Sequence, residues 1–167
     1  MAPLHQPFAL DAIATLLDST PQVPQLACFD TAFPQTLPRV EQLLPLLYAT
    51  WERGLRRYGF HGLSYDYMAR ILPERHGDIA RGRVIVANLG SEASLCALEG
   101  DASVATSMGF SAPDGLMMGT GSGALDPGVL LYLLEHEGLT VAKIGRMLYR
   151  ESGLAGVSAC PPNGQYC

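Results

Sequence analysis

No stretch of this 167-residue chain approaches the roughly 20 consecutive apolar residues that a membrane helix needs, so no membrane span is expected. Basic residues are in the minority, with 11 Lys and Arg against 16 Asp and Glu, for a net charge of −5. That balance, with a pI near 5.2, argues against nucleic acid or an anionic membrane as partner. The start, Met1 to Gln6, has neither the basic residues nor the apolar stretch of a secretory signal. Cysteine is sparse (Cys28, Cys96, Cys160 and Cys167), and no Cys/His spacing fits a zinc site. Cys28 and Cys96 fall in apolar, strand-like runs, where a thiol acts as a small hydrophobe. Cys160 and Cys167 flank a turn-rich segment and could close a disulfide loop, yet the rest of the chain suggests a reducing, cytoplasmic compartment. Repeats and low-complexity segments are missing too. Apolar material is plentiful: 48% of residues are hydrophobic and only 16% charged, enough for a packed core in one domain or parts of two.

The most informative stretch begins with the β-branched run Val84 to Val86, which reads as a buried strand. It stops at Asn88-Leu89-Gly90-Ser91, and a second apolar run, Ser94 to Leu98, ends at Glu99-Gly100-Asp101. Strand, small polar turn, strand is how several nucleotide-binding folds present backbone N–H groups to phosphates. It is also the pattern of an ordinary hairpin. Residues 102–106 read as a third antiparallel strand.

Upstream, Leu10, Ile13, Ala14 and Leu17 share one helical face, and Asp18-Ser19-Thr20-Pro21 breaks that helix. Residues 25–29 read as a buried strand ending on Asp30. A carboxylate at such a strand end is a frequent site position, and it can equally cap the turn that follows. Val40, Leu43, Leu44, Leu47, Tyr48 and Trp51 follow helical spacing. In Arg56-Arg57-Tyr58-Gly59-Phe60-His61-Gly62, two glycines bracket His61, so the backbone bends and holds the ring on a short loop. Arg56 and Arg57 face either an anion or solvent. Ser64 is expected to cap a helix to about Leu72, with Leu63, Tyr67, Met68 and Ile71 inward. Gly119-x-Gly121-x-Gly123 invites a phosphate reading but lacks the P-loop Lys and the Rossmann spacing. Asp126-Pro127 then starts a helix with Val129, Leu130, Leu133 and Leu134 as its buried face and Gly138 as its stop. Thr140 caps another, carrying Val141, Ile144, Met147 and Leu148.

Ala2-Pro3-Leu4-His5-Gln6-Pro7, Phe29-Asp30-Thr31-Ala32-Phe33, residues 56–62, Thr106-Ser107-Met108-Gly109-Phe110 and Leu125-Asp126-Pro127-Gly128, in that order, closely resemble the acetate and propionate kinase family. The resemblance runs from residue 2 to about residue 159. It implies an α/β fold of the ribonuclease-H-like (actin-like ATPase) type, an incomplete mixed sheet with flanking helices. Residues 1–24 would be the end of a first domain, 25–159 a partial second ATPase-like domain, and 160–167 an off-pattern tail. It further implies ATP with Mg²⁺, a short-chain carboxylate (acetate or propionate) converted to an acyl phosphate, and a homodimer.

By the same resemblance Asp30 and His61 are the catalytic residues. Asp30 would be a metal-side, orienting or proton-handling group, and His61 a donor to the developing charge. Asn88, Leu89, Gly90, Ser91 and Glu92 occupy the ATP phosphate loop, and no metal ligand is assigned. The family loop reads His-Leu-Gly-Asn-Gly, so Glu92 here puts a carboxylate near a polyphosphate. Gly121 stands where the family has a catalytic Arg, within Met-Gly-Thr-Arg-Ser-Gly-Asp, and Ala124 replaces the Asp. Losing such an Arg costs several orders of magnitude in rate. The family's early Mg²⁺-binding Asn, phosphate-side Lys and substrate-binding Arg, and its late Mg²⁺-binding Glu, have no counterpart. The expectation is therefore an acetate-kinase-type phosphotransferase with an impaired site. The alternative is a truncated, degenerate, non-catalytic member of the family.

Overall fold

The computed structural model describes residues 6–158; residues 2–5 of the opening motif, the 160–167 tail and the pair Cys160 and Cys167 lie outside the described residues. Among the described residues three strands form the sheet: β1 (Arg83–Leu89), β2 (Ala93–Glu99) and β3 (Ala102–Thr106), all antiparallel in the order β1-β2-β3. The β1–β2 ladder sets Val86 opposite Cys96 and Leu89 opposite Ala93. Gly100 and Asp101 join β2 to β3 with φ of 58° and 67°, the paired positive values that tight hairpin turns require. Both strands of the first hairpin and the third strand were expected from sequence. β1 is an edge strand, however, with only one face in the core: Val86 is buried while Ile85 is 74% exposed.

Around the sheet lie α1 (Gln6–Ser19), α2 (Arg39–Gln42), α3 (Tyr48–Glu52), α4 (Gly62–His76), α5 (Pro127–Glu135), α6 (Val141–Arg150) and α7 (Gly153–Val157). Helix α4 covers the inner face of the sheet. Tyr65 and Ala69, with Met68 and Leu72 beside them, meet Val84, Val86, Cys96 and Leu98. This stripe, at i, i+3, i+4 and i+7, is out of phase with the expected one, and Leu63 and Tyr67 point to solvent. The small Ala69 lets the helix lie close to the sheet, which draws Tyr65 into the interior rather than Tyr67. A second cluster, Phe60, Ala93, Met108, Ala112 and Met118, fills the end of the sheet near the β1–β2 turn.

Three further expectations are corrected. The spacing from Val40 to Trp51 gives two short helices, α2 and α3, separated by an extended stretch that starts at Leu43 (ψ 137°). Pro45 is the cause, since it has no N–H to donate and keeps the residue before it out of helical geometry. Residues 25–29 form no strand, with Leu26 88% exposed and Cys28 and Phe29 exposed as well. A strand needs a neighbour for its N–H and C=O groups, and none lies beside this segment among the described residues. Finally, α5 buries none of its residues, and α6 buries only Ile144. Their starts are as expected, because the Asp126 carboxylate accepts the Gly128 N–H at 2.8 Å and the Thr140 hydroxyl that of Lys143 at 3.3 Å. Gly138, at φ 62°, stands just past α5. No helix among the described residues is long and apolar enough to cross a membrane.

Candidate functional site

His61 is placed by its backbone before its side chain acts. At φ 60° and ψ 24° it occupies the left-handed region, rare for a residue with a side chain, and it immediately precedes α4. The first amides of a helix have no partner inside it. Here Asp30 serves them from 31 positions upstream: Oδ2 accepts the His61 N–H at 2.6 Å, and Oδ1 accepts that of Leu63 at 3.4 Å. The Asp30 carbonyl takes the Gly62 N–H at 2.8 Å. Gly62 is required for this approach, since a Cβ there would stand 2.1 Å from the Asp30 carbonyl oxygen. Asp30 therefore caps α4 across space and fixes His61 in the same act, rather than capping its own turn.

The His61 ring, with its side chain 16% exposed, is held at both nitrogens. Nδ1 lies 2.6 Å from the Ser94 hydroxyl, and Nε2 lies 3.2 Å from Oε2 of Glu92. Ser94 is also hydrogen-bonded to the Tyr65 hydroxyl, and both residues are fully buried. Burial pushes the Tyr65 phenol above its ordinary range, so it keeps its proton, and burial raises the Cys96 thiol likewise.

The β1–β2 turn closes the other side. The Gly90 N–H donates to the Glu92 carbonyl at 2.8 Å, so that amide is used inside the turn. Gly90 is not at positive φ, and a Cβ there would meet only the Glu92 carbonyl, at 3.8 Å. The Gly119 N–H donates to the Ser91 carbonyl at 3.0 Å, which pins the turn to the glycine-rich loop. That loop is braced by α7, whose Leu154 and Ala155 amides reach the Met118 and Gly119 carbonyls at 2.8 and 2.9 Å. A Cβ on Gly121 would meet the Met118 sulfur at 3.0 Å, a contact a flexible side chain can relieve.

A cavity of about 1010 Å³ opens between these parts, with α1 along one wall. Asp30, His61, Asn88, Gly90, Ser91 and Glu92 all line it. Leu89 does not, because strand alternation turns its side chain outward. Arg56 and Arg57 are also elsewhere. The Arg56 guanidinium lies over the Trp51 ring at 4.9 Å, and Arg57 donates to the carbonyls of Glu41, Thr106 and Met108. They brace the loop before His61 and do not line the cavity.

Sequence reasoning missed three contributors. Ser94 and Tyr65 sit inside an apolar strand and a helix, where nothing local marks them as partners of a distant His. Arg150, at the end of α6, is the one Arg or Lys lining the cavity among the described residues. Among the described residues no group of three or more His, Cys, Asp or Glu is arranged to hold a metal. The Asp30 carboxylate is already occupied by two amides.

The family model of the acetokinase family matches residues 1–162. The chain is 54% identical over 158 residues to the acetate kinase of Nitrobacter hamburgensis, covering 95% of this chain and 39% of the relative. It is 55% identical over 159 residues to that of Rhodopseudomonas palustris, covering 95% of this chain and 40% of the relative. In structure it is similar to the acetate kinase of Porphyromonas gingivalis, with a TM-score of 0.86 at 39% identity over 96% of this chain and 41% of that one. A propionate kinase from Francisella tularensis gives a TM-score of 0.86 at 37% identity, over 93% of this chain and 40% of that one. The chain thus spans about 40% of the length of the relatives it matches, and it belongs to the acetokinase family.

Proposed function

We propose that the cavity serves acetate-kinase-type phosphoryl transfer, in which ATP and a short-chain carboxylate give ADP and an acyl phosphate. In that reaction a carboxylate oxygen bonds to the γ-phosphorus as the bond to the β-phosphate oxygen breaks. The nucleophile is already ionised near neutral pH, so no base has to take a proton from it. The work left to the protein is positioning and charge stabilisation. One observation carries the reading: Asp30, His61 and the turn at 88–92, far apart in sequence, line one cavity. Asp30 would act as the orienting group, with His61 Nε2 as donor to the transferring phosphoryl oxygens. Mg²⁺ would enter on the nucleotide phosphates, since the described residues supply no cage for it. Acetate or propionate as acceptor, a homodimer and a cytoplasmic place rest on the family resemblance.

A specific observation supports impairment. The Glu92 carboxylate stands 3.2 Å from His61 Nε2, on the side of the ring that would meet the phosphoryl group. Gly121 also offers no guanidinium at the loop beside it. A non-catalytic family member is the second reading on the same grounds. The test is acyl-hydroxamate formation with acetate, ATP and Mg²⁺. Slow turnover above blank that disappears in His61→Ala supports the enzyme, and a wild-type rate equal to blank supports the second reading.

A further inference from the structure

We infer that Tyr65 and Ser94 fix the proton of the neutral His61 imidazole on Nε2. Ser94 Oγ contacts two groups, His61 Nδ1 at 2.6 Å and the Tyr65 hydroxyl, and it has one proton to give. The hydrogen bonds can therefore be arranged in three ways, since a hydroxyl oxygen can also accept twice. In the first, Tyr65 O–H donates to Ser94 Oγ, and Ser94 O–H donates to the bare Nδ1. In the second, Nδ1–H donates to Ser94 Oγ, and Ser94 O–H donates to the Tyr65 oxygen. The second direction strands the Tyr65 proton. Tyr65 is fully buried, and among the described residues its hydroxyl contacts no acceptor other than Ser94 Oγ. In the third, Nδ1–H and Tyr65 O–H both donate to Ser94 Oγ, and the proton of the fully buried Ser94 is stranded instead, since its hydroxyl contacts no other group among the described residues. A buried donor with no acceptor is disfavoured, whereas the first arrangement satisfies every group.

The far side of the ring gives the same answer independently. Nε2 faces the Glu92 carboxylate at 3.2 Å, an acceptor-only group. The first direction points an N–H at it, and the second would point a lone pair at it while the ring is neutral. A doubly protonated ring would suit Glu92 but would leave either the phenol proton or the Ser94 proton without an acceptor. Only the Nε2–H tautomer satisfies both ends. Tyr65 and Ser94 are thus positioning residues that act through His61, two steps back from the cavity. The consequence for phosphoryl transfer rests on the function proposed above: a ring fixed this way always presents a donor, never an acceptor, to the cavity. The tautomer itself does not depend on that function.

The test is a long-range ¹H–¹⁵N correlation spectrum of the full chain with ¹⁵N-labelled histidine, at a mildly alkaline pH where a free imidazole is neutral. The chain has four histidines, and His61→Gln identifies the signals of interest. The expected wild-type result is a single tautomer, Nδ1 at the far-downfield position of a bare nitrogen and Nε2 at that of an N–H. Ser94→Ala should move both signals toward each other, the mark of a mixed population, and Tyr65→Phe should move them the same way by less. A wild-type ring with the proton on Nδ1, or with averaged signals, overturns the inference even if neither variant folds. So does a folded Ser94→Ala protein whose signals stay where they were. Absence of acyl-hydroxamate formation would count against the kinase reading and leave these signals unmoved, so the two failures are distinguishable.

Discussion

Asp30 both caps α4 and lines the cavity, the two places its position alone left open. Its carboxylate takes the amides of His61 and Leu63 from across the fold, and the ring it fixes lines the same cavity. Removing a capping carboxylate typically costs about 1 kcal/mol, within about 0.5–2. Asp30→Ala should therefore lower unfolding free energy by about that amount in a urea titration, while Asp30→Asn, which keeps an acceptor, should lose less. Glu92 acts in the opposite sense. A carboxylate near a polyphosphate at surface-like dielectric opposes binding by about 1 kcal/mol, so Glu92→Gln should tighten ATP binding about fivefold by calorimetry. An unchanged or weaker affinity would remove Glu92 from the phosphate side of the cavity. Burial raises Tyr65 and Cys96 above their ordinary values. The unfolded chain then releases these protons first as pH rises, so their stabilising contribution is whole below about pH 9 and is lost as pH climbs through the raised values. Tyr65→Phe should flatten that alkaline decline, as followed by denaturation midpoint against pH.

Elements were legible wherever a local rule acts alone. Asp126-Pro127 and Thr140 mark the starts of α5 and α6 because capping is decided within one turn of chain. The β1–β2–β3 meander was readable for the same reason, since its turns are short and its runs are β-branched in β1 and apolar in β2. Faces and partners were not. The phase of α4 depends on Ala69 meeting the sheet, and the split between α2 and α3 depends on a single Pro45 in an otherwise helical pattern. His61 stood out because two glycines bracket it, while its buried partners, Ser94 and Tyr65, are fixed only by the packing of α4 on β2. The junction between residues 30 and 62 should be the least tolerant of change. Gly62→Ala puts a methyl 2.1 Å from a backbone oxygen, so it should cost about 3 kcal/mol and broaden the His61 signals, measured by denaturation and NMR. Gly90→Ala, with open space around it, should cost less than about 1 kcal/mol.

At the scale of the whole molecule, family membership and exposed surface point the same way. The chain spans about 40% of the length of its relatives, and α1, residues 25–29 and α5 present Phe8, Leu26, Phe29 and Leu131 to solvent. Large exposed apolar patches on a soluble domain mark places where something else packs. The chain by itself should bind a hydrophobic dye strongly at low temperature, and a cooperative melt with no dye binding would contradict that. The proposed phosphoryl-transfer site would be weakened by Glu92 and Gly121. Its most direct measurement is acyl-hydroxamate formation by the Glu92→Gly, Gly121→Arg double variant, beside the wild type and beside the same double variant carrying His61→Ala. The expected rate is at least about tenfold above wild type, since a charge-stabilising Arg is worth about 10³ or more in related chemistry, and it should be lost completely with His61→Ala. A double variant no faster than wild type, or one indifferent to His61, would contradict it.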